Sequence, residues 1–321
     1  MKRLFYLFLF VFLVFGCKKD ELKGLDFREL MREFVEQISW YAKSKESNFI
    51  IIPQNGAEIL SKYKDRLYPD TAYLKAIDAQ AQEDLFYGYN GDNEPTPQNV
   101  TEYLEQYLDL AKAFGKKILV TDYCWDSAYV RHSYEMNAQK GYVSFAAPSR
   151  ELDSLLDSAE CCGNNQNISN ISQVRNFLYL IDPHKFASKA EFIKALSKTN
   201  FDLLIIDAFF NGQEFTKAEI DSLKYKPDGS RRLVIAYMSI GEAEDYRYYW
   251  NPQWNTNPPS WLEKPNPNWP GDYKVRYWYP QWKKIIFGTK NSYLDKIMAM
   301  DFDGVYLDII DAYEYFEQKY D

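Results

Sequence analysis

The residues best placed to do chemistry lie at the ends of short apolar runs. Phe302-Asp303-Gly304-Val305-Tyr306-Leu307-Asp308-Ile309-Ile310-Asp311 reads as a buried strand with Asp308 and Asp311 at its carboxyl-terminal lip, and the weaker run Phe201–Asp207 ends in Asp207. Glu242, the adjacent Glu83 and Asp84, and Asp122 each stand at or just past another such run, and the amides Gln54 and Asn55 follow Phe49–Pro53. An acid at the point where a strand leaves a buried sheet is how a (β/α)8 barrel presents groups for proton transfer or nucleophilic attack. One such residue alone is equally an acidic turn or a helix cap. A ring of them on one face is hard to explain by packing, because each buried charge costs several kcal/mol unless paired.

Periodicity supplies the elements that must position these groups. Asp26-Phe27-Arg28-Glu29 has the form of a capping box, and Phe27, Leu30, Met31, Phe34, Ile38 and Tyr41 follow at helical spacing. Strands are predicted over Phe49–Pro53, Lys75–Ala79, Lys117–Asp122, Tyr142–Phe145, Asn176–Ile181, Leu203–Asp207, Leu233–Met238 and Gly304–Asp308. Between them, helices are predicted near Ala57–Lys62 and over Gln98–Phe114, Ser127–Gln139, Arg150–Ala159, Lys189–Lys198, Lys217–Lys224 and Gln281–Met300. Alternation of this kind implies a parallel sheet, and eight strands imply a closed (β/α)8 barrel. An open doubly wound sheet is the competing architecture, but it calls for a glycine-rich phosphate loop after its first strand, and the chain has none. The chain starts with a helix and stops soon after a strand. In a closed ring the first helix fills the slot after the last strand.

The amino terminus is read apart from the fold. Met1-Lys2-Arg3 is basic, Leu4–Phe15 is apolar, and Gly16-Cys17 follows. The run is too short for a comfortable membrane span and has the form of a lipoprotein-type signal over residues 1–17, with Cys17 as the lipidated residue. An ordinary signal peptide or a buried helix is the alternative. The expected product is an exported, membrane-anchored protein in the periplasm or at the cell surface, with residues 18–25 as tether and 26–321 as one barrel domain.

Composition narrows the partners. The chain is 46% hydrophobic and 26% charged, as a globular domain is. Its formal net charge of −8 disfavours nucleic acid and favours a neutral or cationic ligand. The 17% aromatic content suits a cleft in which rings stack on sugars. His132 and His184 are the only histidines, which argues against a histidine-built metal site, and nothing calls for a cofactor. With Cys17 assigned to lipid, Cys124, Cys161 and Cys162 make no full disulfide framework; the last two are either a vicinal disulfide or free thiols.

Four segments resemble the signature of glycoside hydrolase family 114, the endo-α-1,4-polygalactosaminidase-like barrels: Tyr237–Trp250, Phe302–Tyr315, Ile51–Gly56 and Ala81–Tyr87. In that family the counterpart of Asn176–Tyr315 comes first and that of Phe27–Asp157 second. The resemblance therefore implies a circular permutant, rejoined through the Asn- and Cys-rich linker at about residues 160–173. It also implies glycoside hydrolysis by two carboxyls, one ionised and one protonated. Asp308 is expected to be the ionised partner and Glu83 the acid, its proton held by neighbouring Asp84. Asp207, Glu242, Asp311, Asp84, Asp122, Gln54, Asn55, Tyr237 and Trp278 are expected to bind substrate, which the carboxylates suggest is a cationic amino-sugar polysaccharide, and Arg247 to pair with one of the acids. The aromatic insert Trp250–Trp282 is either a set of sugar platforms or a self-packed flap. The other class of function consistent with the chain is a surface lipoprotein that binds polysaccharide without cutting it.

Overall fold

The structure is a computed structural model that describes residues 22–155 and 163–320. The signal with Cys17, residues 18–21 of the tether, and Cys161–Cys162 lie outside the described residues.

Helix α1 (Phe27–Lys45) starts at Asp26, whose carboxylate accepts the Glu29 N–H at 2.9 Å. The expected box is half present, because the Glu29 side chain bonds Arg32 instead. Phe27, Met31, Phe34, Val35, Ile38 and Ala42 form its buried stripe, the spacing that one helix face requires.

Eight parallel strands follow among the described residues: β1 (Ile50–Pro53), β2 (Ala79–Glu83), β3 (Lys117–Tyr123), β4 (Val143–Ala147), β5 (Phe177–Leu180), β6 (Leu203–Asp207), β7 (Leu233–Ser239) and β8 (Gly304–Asp308). One sheet has the order β1-β8-β7-β6-β5, the other β2-β3-β4. The sheets meet where Gln54, just past β1, forms a parallel bridge with Ala81 of β2. At the other junction Phe145 of β4 and Phe177 of β5 lie 5.7 Å apart, centroid to centroid. Strands buried along nearly their whole length, such as Leu203-Leu204-Ile205-Ile206, are what a parallel sheet covered by helices demands.

Helices α2 (Thr71–Ala76), α3 (Gln98–Ala113), α4 (Ser127–Lys140), α5 (Lys189–Leu196) and α6 (Lys217–Leu223) fill connections between successive strands. α7 (Pro280–Ile286) and α8 (Tyr293–Ala299) precede β8, and α9 (Ala312–Tyr320) follows it. α1 lies beside α8, since Tyr41 and Lys45 both bond Asp295, and beside α2, where Ser39 and Lys43 both bond the Ala76 carbonyl.

Local details differ from expectation. The segment read as a strand from Lys75 is helix α2, because Asp70 caps the N–H groups of Ala72 and Tyr73; β2 starts only at Ala79. Residues 150–155 are turn and extended chain rather than the first turn of a helix, and the rest of that expected helix lies largely outside the described residues. The long helix expected over Gln281–Met300 is two helices, parted at a turn with Gly288 at φ +106°. The insert is no irregular loop: Glu242–Glu244, Asp272–Val275 and Leu262–Pro265 form an antiparallel sheet in that spatial order.

Candidate active site

Three strand ends carry residues in the left-handed region just where the chain leaves the sheet: Asn55 (φ +59°), Asp84 (φ +58°) and Ile309 (φ +60°). Asn and Asp tolerate this conformation, whereas a β-branched Ile is a true outlier of the kind held at functional sites. Gly241, just past β7, makes room for the turn after Asp308: a Cβ there would stand 2.2 Å from the Ile309 carbonyl oxygen.

A cavity of about 790 Å³ opens over these ends, and Gln54, Asn55, Glu83, Asp207, Tyr237, Glu242, Asp308 and Asp311 all line it. Asp308 sits at the tip of β8, where Tyr237 donates its hydroxyl to Oδ2 at 2.7 Å and the Ile309 N–H donates to Oδ1 at 2.7 Å. Burial pushes the Asp308 carboxyl up to about 8, reinforced by the Glu83 charge and outweighing these two donors. Glu83, at the tip of β2, is fixed from both sides: Asn55 Nδ2 donates to Oε2 at 3.0 Å and the Tyr123 hydroxyl donates to Oε1. The Asn55 side-chain oxygen also accepts the Glu83 N–H at 2.9 Å. Asp308, expected to be the ionised partner, is instead a carboxyl whose neutral form burial favours.

The other expected residues divide. Asp207 lines the cavity but both its oxygens are taken by Arg247, at 2.8 and 2.7 Å, and Arg247 also grips Glu244 at 2.7 Å. Glu242 accepts from Lys274 at 2.5 Å and Asn266 at 2.9 Å. Gln54 is buried and accepts the Tyr179 hydroxyl at 3.0 Å. Asp311, past the tip of β8, is raised to about 6 by burial against the pull of Lys274.

Three expectations are corrected. Asp122 is wholly buried on the helix side of β3, accepting from the N–H groups of Phe86 and Tyr87 and from Ser133 and Asn137 of α4. Asp84 points away from the cavity into a two-pronged pair with Arg150 at 3.2 and 2.9 Å. Trp278 packs against Phe27, Tyr277 and Phe316, with ring centroids 4.7–5.3 Å away, and does not reach the cavity. Most of the insert's rings follow it: Trp250, Trp254, Trp261 and Trp282 pack in a chain, edge-on or tilted, so the self-packed flap describes them better than sugar platforms. Trp269, 43% exposed, is the insert tryptophan that lines the cavity, with Tyr246 nearby in the wall.

The strand-end pattern does not mark Asp272. It lines the cavity from the antiparallel sheet, and burial followed by the charges of Glu244 and Glu242 raises it to about 8. Its Oδ1 is buried without a hydrogen-bond partner among the described residues. No apolar parallel strand precedes it, so the strand-end signal that exposed the others was missing.

Residues 181–320 match the model of glycoside-hydrolase family GH114. That region of the chain is similar to the family. It brings Asp207, Tyr237, Glu242, Asp308 and Asp311 to the cavity, while Gln54, Asn55 and Glu83 lie outside the GH114 match. The chain is also 44% identical over 162 residues to an uncharacterized protein of Methanocaldococcus jannaschii, covering 49% of this chain and 44% of that protein. An uncharacterized protein of Thermotoga maritima is 42% identical over 124 residues (39% and 37%), and one of Deinococcus radiodurans 38% over 123 residues (38% and 37%). The chain thus spans less than half the length of the relatives it matches.

Proposed function

We propose that this protein is an exported, membrane-anchored glycoside hydrolase that cleaves an α-linked cationic amino-sugar polysaccharide, polygalactosamine-like, with Asp308 as general acid and Glu83 as its ionised partner. The observation that carries this reading is the pairing of charges in the cavity. Arg247 holds Asp207 and Glu244, Arg150 holds Asp84 and Asp92, and Lys274 holds Glu242. Glu83, Asp272, Asp308 and Asp311 have no ion pair among the described residues; burial favours the neutral form of Asp272 and Asp308, so Glu83 and Asp311 are the unpaired acids that give the cavity negative potential for a cationic ligand. A neutral buried carboxyl and a hydrogen-bonded carboxylate in one cavity are the two groups that glycoside hydrolysis requires. In this reading Asp308 gives its proton to the leaving glycosidic oxygen while Glu83 attacks the anomeric carbon or takes the proton of an attacking water.

The same reading makes the eight strands a closed ring and the chain a circular permutant of its family. Phe27 and Tyr320 lie 6.1 Å apart, ring to ring, so the start of α1 and the end of α9 are neighbours. Leu152 O, past the end of β4, accepts from Ile181 and Asp182, past the end of β5, so the last strand of one half and the first strand of the other leave the sheet side by side. Relatives matched over half of this chain or less fit an order in which only one half can align at a time.

The test is incubation of the purified protein with partly deacetylated α-1,4-galactosaminoglycan, reading release of reducing ends. A fully acetylated, neutral polymer serves as control. Binding without release would support a non-catalytic binding protein, and faster cleavage of the neutral polymer would refute the cationic substrate.

A further inference from the structure

We propose that Arg150 is a positioning residue for Glu83, acting through two neighbours of that carboxylate. Arg150 follows β4, and its guanidinium ties together the carboxyl-terminal ends of the β2-β3-β4 sheet. It bonds both oxygens of Asp84, the residue after Glu83, at 3.2 and 2.9 Å. It also donates to Asp92 at 2.7 Å and to the Gly88 carbonyl at 3.0 Å. Its carbon Cζ lies 4.0 Å from the centroid of the Tyr123 ring, and Tyr123 is the residue whose hydroxyl donates to Glu83. The first contact holds Asp84 in its left-handed conformation, and so fixes the direction in which the chain leaves Glu83. The second draws electron density from the phenol ring and strengthens its hydroxyl as a donor. Gly88 is built around this arrangement: at φ +120°, a Cβ on it would stand 2.0 Å from Asp84 Oδ1 and 3.1 Å from Arg150 Nη2.

The inference rests on the proposed hydrolase for its kinetic readout, so a structural readout accompanies it. Arg150→Met is expected to lower kcat on the order of 10²-fold with little change in KM, as misplacement of a reacting group does. The acidic limb of its kcat–pH profile should move to higher pH. Arg150→Lys, which keeps the charge but not the fork, should recover part of the loss. In a Tyr123→Phe background the Arg150→Met loss should shrink, because the two act on one group. Crystal structures of the wild type and Arg150→Met should show the Tyr123–Glu83 bond broken or Asp84 out of the left-handed region in the variant. Both features intact in the variant, or an unshifted pH profile at wild-type kcat, overturns the proposal. If Arg150→Met does not fold, Arg150→Lys decides by the same readouts, since loss of the two-pronged pair alone should displace Asp84. A wild type that cleaves no glycoside would sink the hydrolase reading, while the crystal comparison would still decide the role of Arg150.

Discussion

Asp308 and Glu83 are separable by experiment because their environments differ. Asp308→Asn is expected to cut polymer cleavage roughly 10²–10⁴-fold, the usual worth of general acid catalysis. The same variant should keep most of its activity on an aryl glycoside whose leaving phenol needs no proton. Glu83→Ala should be inactive on both substrates and recover with added azide, a small anion that can occupy the vacated site. The opposite pattern would exchange the two roles. Strand-end position alone marked both residues, but it could not say which way neighbouring side chains point. Side chains alternate along a strand, so in β3 Thr121 and Tyr123 share one face and Asp122 the other. Ser133 and Asn137, four residues apart on α4, are the partners that Asp122 needs on the helix side, and that spacing was present in the chain. The charge state of Asp308 was not legible, since burial appears only once β7 supplies Tyr237 and β2 brings Glu83 close.

Elements were most legible where one pattern repeats. Strands β6 and β8 fall where alternating helix and apolar run place them, as do α1 and α3. The reading failed where a cap or a glycine overrode the local pattern, at Asp70 and Gly288, and where rings found each other rather than solvent. The insert is the clearest case: its aromatics suggest a binding wall, yet most of them form the hydrophobic backing of an antiparallel sheet that presents Asp272 and Lys274 instead. Gly241 joins that sheet to β7 and packs under the tip of β8. Gly241→Ala would place a methyl 2.2 Å from the Ile309 carbonyl oxygen and 2.7 Å from the Ala312 Cβ. Backbone must give way, so the variant should lose about 1–3 kcal/mol in chemical unfolding, the range for overpacking. It should also lose activity beyond what its stability explains, because the displaced residue carries Asp308. Wild-type stability and turnover in this variant would show that the β7–β8 contact is slack.

At the scale of the whole molecule, the permuted reading predicts that chain order is free while the ring is kept. A chain that runs from Asn176 to Tyr320 and then, through a short linker, from Leu25 to Leu155 should fold with a thermal midpoint near the parent's and line the same cavity. The new junction would close the gap between the neighbouring Phe27 and Tyr320. An unfolded product would argue against the permutant. Buried acids, in the cavity and outside it, have a second global consequence, in the dependence of stability on pH. Asp311 is raised to about 6, Asp84 and Glu314 to about 7, and Asp272 and Asp308 to about 8, each with burial as the leading cause. Raised groups bind protons more tightly in the folded state, so their stabilising contribution is complete below the unfolded values of 3.8 and 4.5 and is lost as pH rises through the folded values. Asp109, Asp153 and Glu263 are lowered by ion pairs and hydrogen bonds that outweigh burial, so their contribution is lost as pH falls below about 4. Calorimetry should therefore place the highest thermal midpoint between about pH 4 and 6, with a steady decline toward pH 9. Asp272→Asn should flatten that decline, raising the midpoint at pH 9 and leaving it little changed at pH 4.5, because the amide cannot acquire the charge that the cavity resists. A midpoint that climbs from pH 5 to pH 9 would mean that these carboxyls are ionised in the folded protein, and with them would go the assignment of Asp308 as the acid.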